Sequence, residues 1–133
     1  MQIVIAYVAA ALVFFALDMV WLAGVAKDFY FSRLGDLIRP TPDYLVAGVF
    51  YAGYVAGIVY FAVAPALAGG GMTRALINGA LIGLLAYGTY DATNLATLRG
   101  YPAEVAIVDV IWGTFLTAAA ASAGYLAAAR FAD

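Results

Sequence analysis

Four long apolar stretches dominate this sequence and restrict the folds that it can adopt. They cover residues 3–24, 45–67, 75–98 and 103–129, and each is long enough to cross the roughly 30 Å hydrocarbon core of a bilayer as a helix. Backbone groups inside lipid must be hydrogen-bonded within their own segment, so we expect four transmembrane helices. Residues 1–133 are therefore predicted to form a single integral membrane domain in contact with the lipid bilayer.

The composition agrees with this interpretation and excludes several kinds of chemistry. Hydrophobic residues make up 67% of the chain and charged residues 11%, whereas a soluble domain is nearer half apolar and a quarter charged. The sequence contains no cysteine and no histidine, which removes thiolate and imidazole catalysis and the usual ligands of zinc, haem and iron–sulfur clusters. A net charge of −2 leaves no basic surface for nucleic acid. We therefore expect no metal, cofactor or nucleic-acid partner, and the composition leans away from an enzyme.

The connections between the stretches predict how the helices are arranged. Residues 25–44 mix charged with aromatic and aliphatic side chains, as in a short amphipathic helix at the membrane interface, and Pro40 and Pro42 are expected to end it. The connections at 69–74 and 99–102 are short, so consecutive helices should lie side by side. The predicted fold is an all-α membrane protein, an antiparallel bundle of four transmembrane helices with the interfacial helix between the first and the second.

The distribution of basic residues predicts the orientation of this bundle. The first and third connections share one face and contain Lys27, Arg33, Arg39 and Arg99, whereas the opposite face contains Arg74 and Arg130. Lys and Arg are enriched in cytoplasmic loops. The first and third connections are therefore expected in the cytoplasm, and both termini in the periplasm.

Three aspartates lie inside the predicted spans, where each costs roughly 2.5–3.5 kcal/mol near the bilayer centre. Asp18 and Asp91 precede the ends of the first and third spans by six and seven residues, and Asp109 follows the start of the fourth span by six. These span ends share one membrane face, so all three carboxylates are expected about 9–10 Å below it. Ionisable side chains in spans almost always face the protein interior, so the three should converge there.

Aromatic and amide side chains recur at the same depth, at spacings of three or four residues that share helix faces. The predicted polar layer, a ligand-binding or proton-linked site, consists of Asp18, Trp21, Tyr51, Tyr54, Tyr87, Tyr90, Asp91, Asn94, Asp109 and Trp112. Arg39 and Arg99 are the nearest candidate counter-ions. Because like charges in a low dielectric cannot all ionise, at least one carboxyl is expected to be protonated at neutral pH.

Three functions are consistent with such a layer. The leading hypothesis is a non-enzymatic bundle that binds or transports a small apolar or amphipathic molecule there. The first alternative is a membrane-embedded enzyme that uses an Asp pair as acid and base. The second is a structural or assembly subunit in which the layer only fixes the register of the helices. The sequence leaves this choice open, together with the oligomeric state.

Two glycine motifs, Gly53-x-x-x-Gly57 and Gly79-x-x-x-Gly83, allow helix backbones to approach closely. Such motifs are common in membrane helices. We therefore expect both of them to pack inside the bundle rather than to form a dimer interface.

Three segments resemble a known family. They are Leu17–Leu22, Tyr90–Pro102 and Val108–Gly113, of which the second, with Tyr-Asp-Ala-Thr-Asn-Leu-Ala-Thr-Leu, is the most specific. The chain is similar over nearly its whole length to the bacterial four-span membrane proteins grouped as domain of unknown function 2177. This resemblance implies a bacterial inner-membrane protein and assigns no reaction to it.

Overall fold

The computed structural model describes residues 1–131, and the regular elements within that range are helices. In this described part of the chain, three helical stretches are long and apolar enough to cross a membrane, namely Gln2–Val25, Tyr44–Thr97 and Ala103–Ala129. The prediction of an all-helical membrane protein is therefore confirmed. The middle stretch has 54 residues, which is more than twice the length that one crossing needs.

Within residues 1–131, five α-helices form the framework, and short π- or 3₁₀-helical turns extend three of them. Helix α1, Gln2–Val20, continues into a π-helical turn, Trp21–Val25, and α2, Lys27–Leu34, is followed by a 3₁₀ turn, Gly35–Leu37. Helix α3, Tyr44–Ile58, is extended by π-helical turns at Val59–Val63 and Ala66–Gly70. Helices α4 and α5 are Gly71–Thr97 and Ala103–Ala129.

The 54-residue stretch reverses direction at its glycines. Gly69 and Gly71 have φ angles of +121° and +72°, a left-handed region that side chains other than hydrogen rarely allow. The Asn78 side-chain amide donates to the Phe61 carbonyl at 2.9 Å. These two residues would lie roughly 25 Å apart in one continuous helix, so the chain must fold back between them. Helix α4 starts at Gly71, which makes residues 72–74 helical although the sequence suggests a connection there.

The helix predicted at the membrane interface is shorter than the sequence suggests. Helix α2 ends at Leu34 because Gly35 adopts φ +53°, so the expectation that Pro40 and Pro42 end it is wrong. The next helix begins where the Asp43 side chain accepts a hydrogen bond from the Val46 amide at 3.1 Å and caps α3.

Helices α1 and α5 pack antiparallel in one regular register. The Gln2 side-chain amide donates to the Ala128 carbonyl at 3.1 Å at one end of the pair. Four residues further along each helix, Gly124 faces the backbone of Ala6 so closely that a methyl group there would press on the Ala6 carbonyl. The buried core around Phe14 continues this contact. The same register determines which residues meet near the other end of the pair.

The two glycine motifs have different surroundings. Gly79 and Gly83 on α4 lie against α5, and an added Cβ atom would collide with the backbone of Thr117, Ala118, Gly113 or Thr114. An added Cβ atom at Gly53 or Gly57 on α3 would meet nothing within 4 Å. The prediction of packing inside the protein is therefore right for α4 and wrong for α3, because the end of α3 near Tyr44 does not approach α4.

Candidate functional site

Two tryptophans form the centre of the candidate site. Trp21 lies in the π-helical turn after α1, and Trp112 lies in the first half of α5. Their indole rings are stacked, with centroids 4.4 Å apart and an angle of 8° between the ring planes. Each tryptophan follows an aspartate by three residues, so the antiparallel register that stacks the rings also brings Asp18 and Asp109 to this place.

Hydrogen bonds cross this stack in both directions. The Trp112 indole N–H donates to Oδ1 of Asp18 at 3.2 Å, from α5 to α1. The Trp21 indole N–H donates to the Tyr30 hydroxyl at 3.2 Å, and that hydroxyl donates to Oδ1 of Asp109 at 3.1 Å. Asp18 on α1 is therefore held by a donor on α5. Asp109 on α5 is held, through Tyr30, by a donor in the turn after α1.

Asp91 on α4 is the most deeply buried charged residue of the site, with 0% of its surface exposed. Its Oδ1 accepts a hydrogen bond from the Tyr101 hydroxyl at 2.8 Å. Its carboxyl group also lies close to the Asp109 carboxyl. Two ionised carboxylates only accept hydrogen bonds, and Oδ2 of Asp91 has no donor among residues 1–131. Oδ2 of Asp91 is therefore a buried acceptor without a donor from the described residues.

The residues joined by these contacts are called the aspartate cluster below: Asp18, Trp21, Tyr30, Asp91, Tyr101, Asp109 and Trp112.

Tyr30 and Tyr101 complete the cluster from outside the apolar stretches, on α2 and in the connection before α5. Burial raises the pKa of both phenols above the usual range. The charge of Asp109 adds to the rise in the pKa of Tyr30, and the hydrogen bond to Asp91 adds to that of Tyr101. Both hydroxyls therefore stay protonated at neutral pH and remain donors to the carboxylates.

Sequence reasoning missed both of these tyrosines. It assigned the aromatic residues of the first connection, Tyr30 among them, to the membrane interface, where tyrosine is commonly found, and it gave Tyr101 no role in the site. Tyr30 instead turns inward with Ala26 and packs against Val105 at the start of α5. For Tyr30, a useful indication was the helical spacing of four residues that puts Ala26 and Tyr30 on one face of α2. For Tyr101, the useful indication was the short third connection, which keeps the residue near Asp91.

Three predicted tyrosines lie beside the cluster and pack against other residues. The Tyr51 ring lies 5.5 Å from the Phe14 ring, centroid to centroid. The Tyr54 hydroxyl is 2.8 Å from Oγ1 of Thr117, which is itself buried. The Tyr87 ring covers Gly113 so tightly that no Cβ atom would fit there. These three tyrosines join the cluster to the apolar core.

The remaining predicted residues lie at the edge. Asn94 is half-buried beside the Tyr101 hydroxyl. Tyr90 is 58% exposed, which places it on the outside of α4. Neither residue contacts an aspartate through a hydrogen bond within the part of the chain that the structure describes.

The two candidate counter-ions do not reach the cluster. Arg39 lies 3.9 Å from Asp43, four residues away, and both are exposed. Arg99 is exposed and forms no ion pair with the other residues in the range 1–131. Arg33 on α2 pairs instead with Glu104 on α5, at 3.5 Å. The three aspartates are therefore held by neutral hydroxyl and indole donors, and the same residues contain no group of side chains placed to hold a metal ion.

Residues 3–126 match the family described as "Predicted membrane protein (DUF2177)". The chain belongs to this family. The matched range includes the whole aspartate cluster, and the DUF2177 description gives a membrane location and no reaction. No curated protein and no solved structure matches the chain. Membership of DUF2177 therefore agrees with the apolar helices and assigns no role to the cluster.

Proposed function

We propose that this DUF2177 protein crosses a bacterial inner membrane four times, as one antiparallel bundle formed by residues 1–133. The reversal at Gly69 divides the 54-residue stretch into two legs, and each leg exceeds the roughly 20 residues that one crossing needs. The four-to-two count of basic residues favours cytoplasmic first and third connections. Labelling of a cysteine added at the C-terminus tests this orientation, because accessibility from the cytoplasmic side would contradict it.

We further propose that the aspartate cluster binds or transports a small amphipathic molecule. The observation that supports this most directly is the buried Oδ2 of Asp91, which has no hydrogen-bond donor among residues 1–131. A buried acceptor without a donor costs about 1–3 kcal/mol, so natural proteins rarely keep one without a use. A polar group of a bound molecule would supply the missing donor.

The charge of the cluster indicates which polar group fits. Three carboxyl groups converge without a Lys or Arg partner in the described chain. Like charges in a low dielectric cannot all ionise, so we expect one of the three carboxyls to be protonated in the resting protein. A protonated amine can replace that proton, because it brings both a positive charge and N–H donors. The proposed ligand is therefore a cationic amphiphile.

The structural alternative rests on the bonds that are already made. Trp112, Tyr30 and Tyr101 satisfy one oxygen of each aspartate without any ligand, so the cluster also fixes the register of α1, α4 and α5. The catalytic alternative rests on the proximity of Asp91 and Asp109, two carboxyl groups that could act as acid and base. Substitution of Asp91 separates binding from the structural role.

The experiment uses the two tryptophans of the sequence, both of which lie in the cluster, as the probe. Dodecylamine is titrated into protein in lipid nanodiscs while tryptophan fluorescence is recorded, with dodecyl sulfate as the anionic comparison. Wild type should show a saturable change with the amine only. Asp91→Asn should weaken the affinity for dodecylamine at least tenfold, because it removes the carboxylate. Helix content should be unchanged, because the Asn amide has nearly the shape of the carboxyl group and can donate to Asp109.

Asp36→Asn is the matched control, since Asp36 is exposed in the 3₁₀ turn after α2. It should bind dodecylamine like wild type. Equal affinities of Asp91→Asn and wild type, together with altered thermal stability of Asp91→Asn, would favour the structural alternative. The absence of saturable binding in wild type would refute the proposed function.

A further inference from the structure

Asp91 is closed off from its surroundings, so a ligand can reach it only if a covering element moves. None of its surface is exposed, and its Oδ2 atom is buried without a donor from the described residues. The proposed ligand would donate to that atom. At least one element over the aspartate cluster must therefore move aside before the ligand binds.

The four long helices around the cluster are poorly suited to such a movement. Helix α4 lies on α5 without space for a Cβ atom at Gly83, and α5 lies on α1 at Gly124. Helix α3 is attached to α1 by the Tyr7 hydroxyl, which donates to the Ala52 carbonyl at 2.9 Å. The four helices contribute to one apolar core around Phe14. Separation of any two of them would open a close-packed interior.

Helix α2 is held much more loosely. Of its eight residues, one, Tyr30, is buried. Tyr30 packs with Ala26 and Val105 in a small apolar cluster that is separate from the core around Phe14. Regions with few buried contacts open at a lower free energy than the rest of a protein. Helix α2 can therefore detach from α5 without disturbing the core.

The chain on both sides of α2 permits this movement. Before α2, Gly24 lies in the π-helical turn and has open space around it. After α2, Gly35 adopts φ +53°, and residues 38–43 of the described chain are irregular. Hinges are commonly a few residues at the ends of elements, where changes in φ and ψ can be absorbed. Helix α2 is thus a short unit between two such places.

Helix α2 covers the cluster where its aspartates lie. The Tyr30 hydroxyl accepts from the Trp21 indole N–H at 3.2 Å and donates to Oδ1 of Asp109 at 3.1 Å. Tyr101, whose hydroxyl donates to Asp91, packs against the same small apolar cluster beneath α2. Lifting of α2 would free Asp109 from this donor and expose Tyr101, the residue that contacts Asp91.

One ion pair fastens the outer edge of α2. Nε of Arg33 lies 3.5 Å from Oε1 of Glu104 in the first turn of α5, and both side chains are partly exposed. The Arg33 guanidinium also lies over the Phe29 ring, 4.1 Å from its centroid. Ion pairs between exposed side chains contribute little to stability, so this contact can break and form again as α2 moves.

We infer that α2 is a lid that opens and closes over the aspartate cluster and controls the entry of its ligand. The inference rests on the proposed function and adds a route to it. The cationic end of the amphiphile passes beneath α2, and Tyr30 returns to Asp109 when α2 closes. The ion pair between Arg33 and Glu104 determines how often the lid opens.

The test locks α2 in place through this ion pair. The sequence contains no cysteine, so Arg33→Cys/Glu104→Cys supplies the only two thiols, which a short reducible bis-methanethiosulfonate reagent joins. Asp91 is then amidated in nanodiscs with a water-soluble carbodiimide and glycinamide, and peptide mass spectrometry gives the rate. The cross-link should slow amidation of Asp91 at least tenfold, and reduction should restore it. Asp36, which is exposed, should react equally in both forms.

Dodecylamine binding, followed by tryptophan fluorescence, shows whether the ligand uses the same route. Its association rate should fall in the cross-linked form and recover on reduction. Glu104→Gln removes the ion pair without a thiol and should raise the amidation rate of Asp91 about twofold to threefold. Arg39→Gln is its matched control, because it removes the exposed pair of Arg39 with Asp43 outside α2, and it should leave the rate unchanged.

Equal amidation rates of Asp91 in the cross-linked and reduced forms would overturn the inference while the proposed function stands. Slower amidation at an unchanged rate of dodecylamine binding would overturn it too, because the ligand would then enter by another route. If wild type shows no saturable binding of dodecylamine, the proposed function fails, whereas the amidation rates still decide whether α2 opens. Glu104→Gln decides this as well if the double cysteine variant does not fold.

Discussion

The same glycine motif occurs on α3 and on α4, and the two copies have opposite environments. On α4, Gly79 and Gly83 let the backbone lie directly on α5, and each glycine is buried. On α3, Gly53 is exposed and Gly57 is half-buried, and both line an open groove. One side of the protein is therefore closed by backbone contact, and the other side is left open to the bilayer.

The difference shows that a glycine motif determines how closely another helix can approach, and not whether another helix is present. On the closed side, α5 presents small residues opposite α4, namely Gly113, Ala118 and Ala121. On the open side, α3 leans on α1 through the Tyr7 hydrogen bond and turns its glycines away from the core. The closed side packs α4, the helix that carries Asp91, on α5, while the glycine face of α3 has no backbone against it.

The largest effect is expected on the closed side. Gly83→Ala should lower the free energy of unfolding by about 3 kcal/mol, because the new methyl group would collide with the Gly113 carbonyl and force α4 away from α5. Unfolding in mixed micelles by increasing mole fractions of SDS measures this change. A loss of unfolding free energy smaller than that of an ordinary surface substitution would contradict the comparison, since it would mean that α4 and α5 are not in tight contact.

An intermediate effect is expected within the aspartate cluster. Tyr101→Phe should cost about 2 kcal/mol in the same assay, because it removes the donor to Oδ1 and leaves both oxygens of Asp91 without a donor in residues 1–131. Tyr44→Phe is the matched control, since Tyr44 is exposed and its hydroxyl makes no hydrogen bond within that range. Equal stabilities of the two variants would show that the Tyr101 bond does not hold Asp91.

The smallest effect, with the opposite sign, is expected on the open side. Gly53→Ala should raise the free energy of unfolding by up to about 1 kcal/mol, because alanine favours the helix and its methyl group meets nothing within 4 Å. Comparison with Gly48→Ala, equally unhindered on the same helix, separates the helix preference from any effect of the groove. A destabilised Gly53→Ala variant would mean that a partner occupies the glycine face.

Much of the framework could be predicted from the sequence because apolar length and buried charge have strong physical consequences. The fourth apolar stretch, 103–129, matches α5 residue for residue, since Pro102 and the preceding turn fix its start. The depth count brought Asp18 and Trp112 to one level, where they form a hydrogen bond. Both results follow from the rise of a helix and the thickness of lipid.

The rest depends on contacts between distant residues, which no local pattern specifies. Tyr30 and Tyr101 became part of the cluster because α2 and the third connection fold over the end of α5. Arg39 and Arg99 were expected near the aspartates from sequence distance alone, yet both stay at the surface. Whether another helix packs against the glycine motif of α3 depends on the direction in which α3 tilts. The sequence of α3 does not indicate that direction.

The central claim is that Asp91 offers a buried carboxyl oxygen to the cationic end of a bound molecule. An infrared difference spectrum, recorded as dodecylamine is added at pH 7 to wild type and to Asp91→Asn, tests it most directly. Wild type should lose the band of a protonated carboxyl and gain that of a carboxylate, because the positive charge of the amine replaces the proton of the carboxyl group. Asp91→Asn should show neither change. Identical difference spectra from the two proteins, or a wild type without a protonated carboxyl band before the amine is added, would contradict the claim.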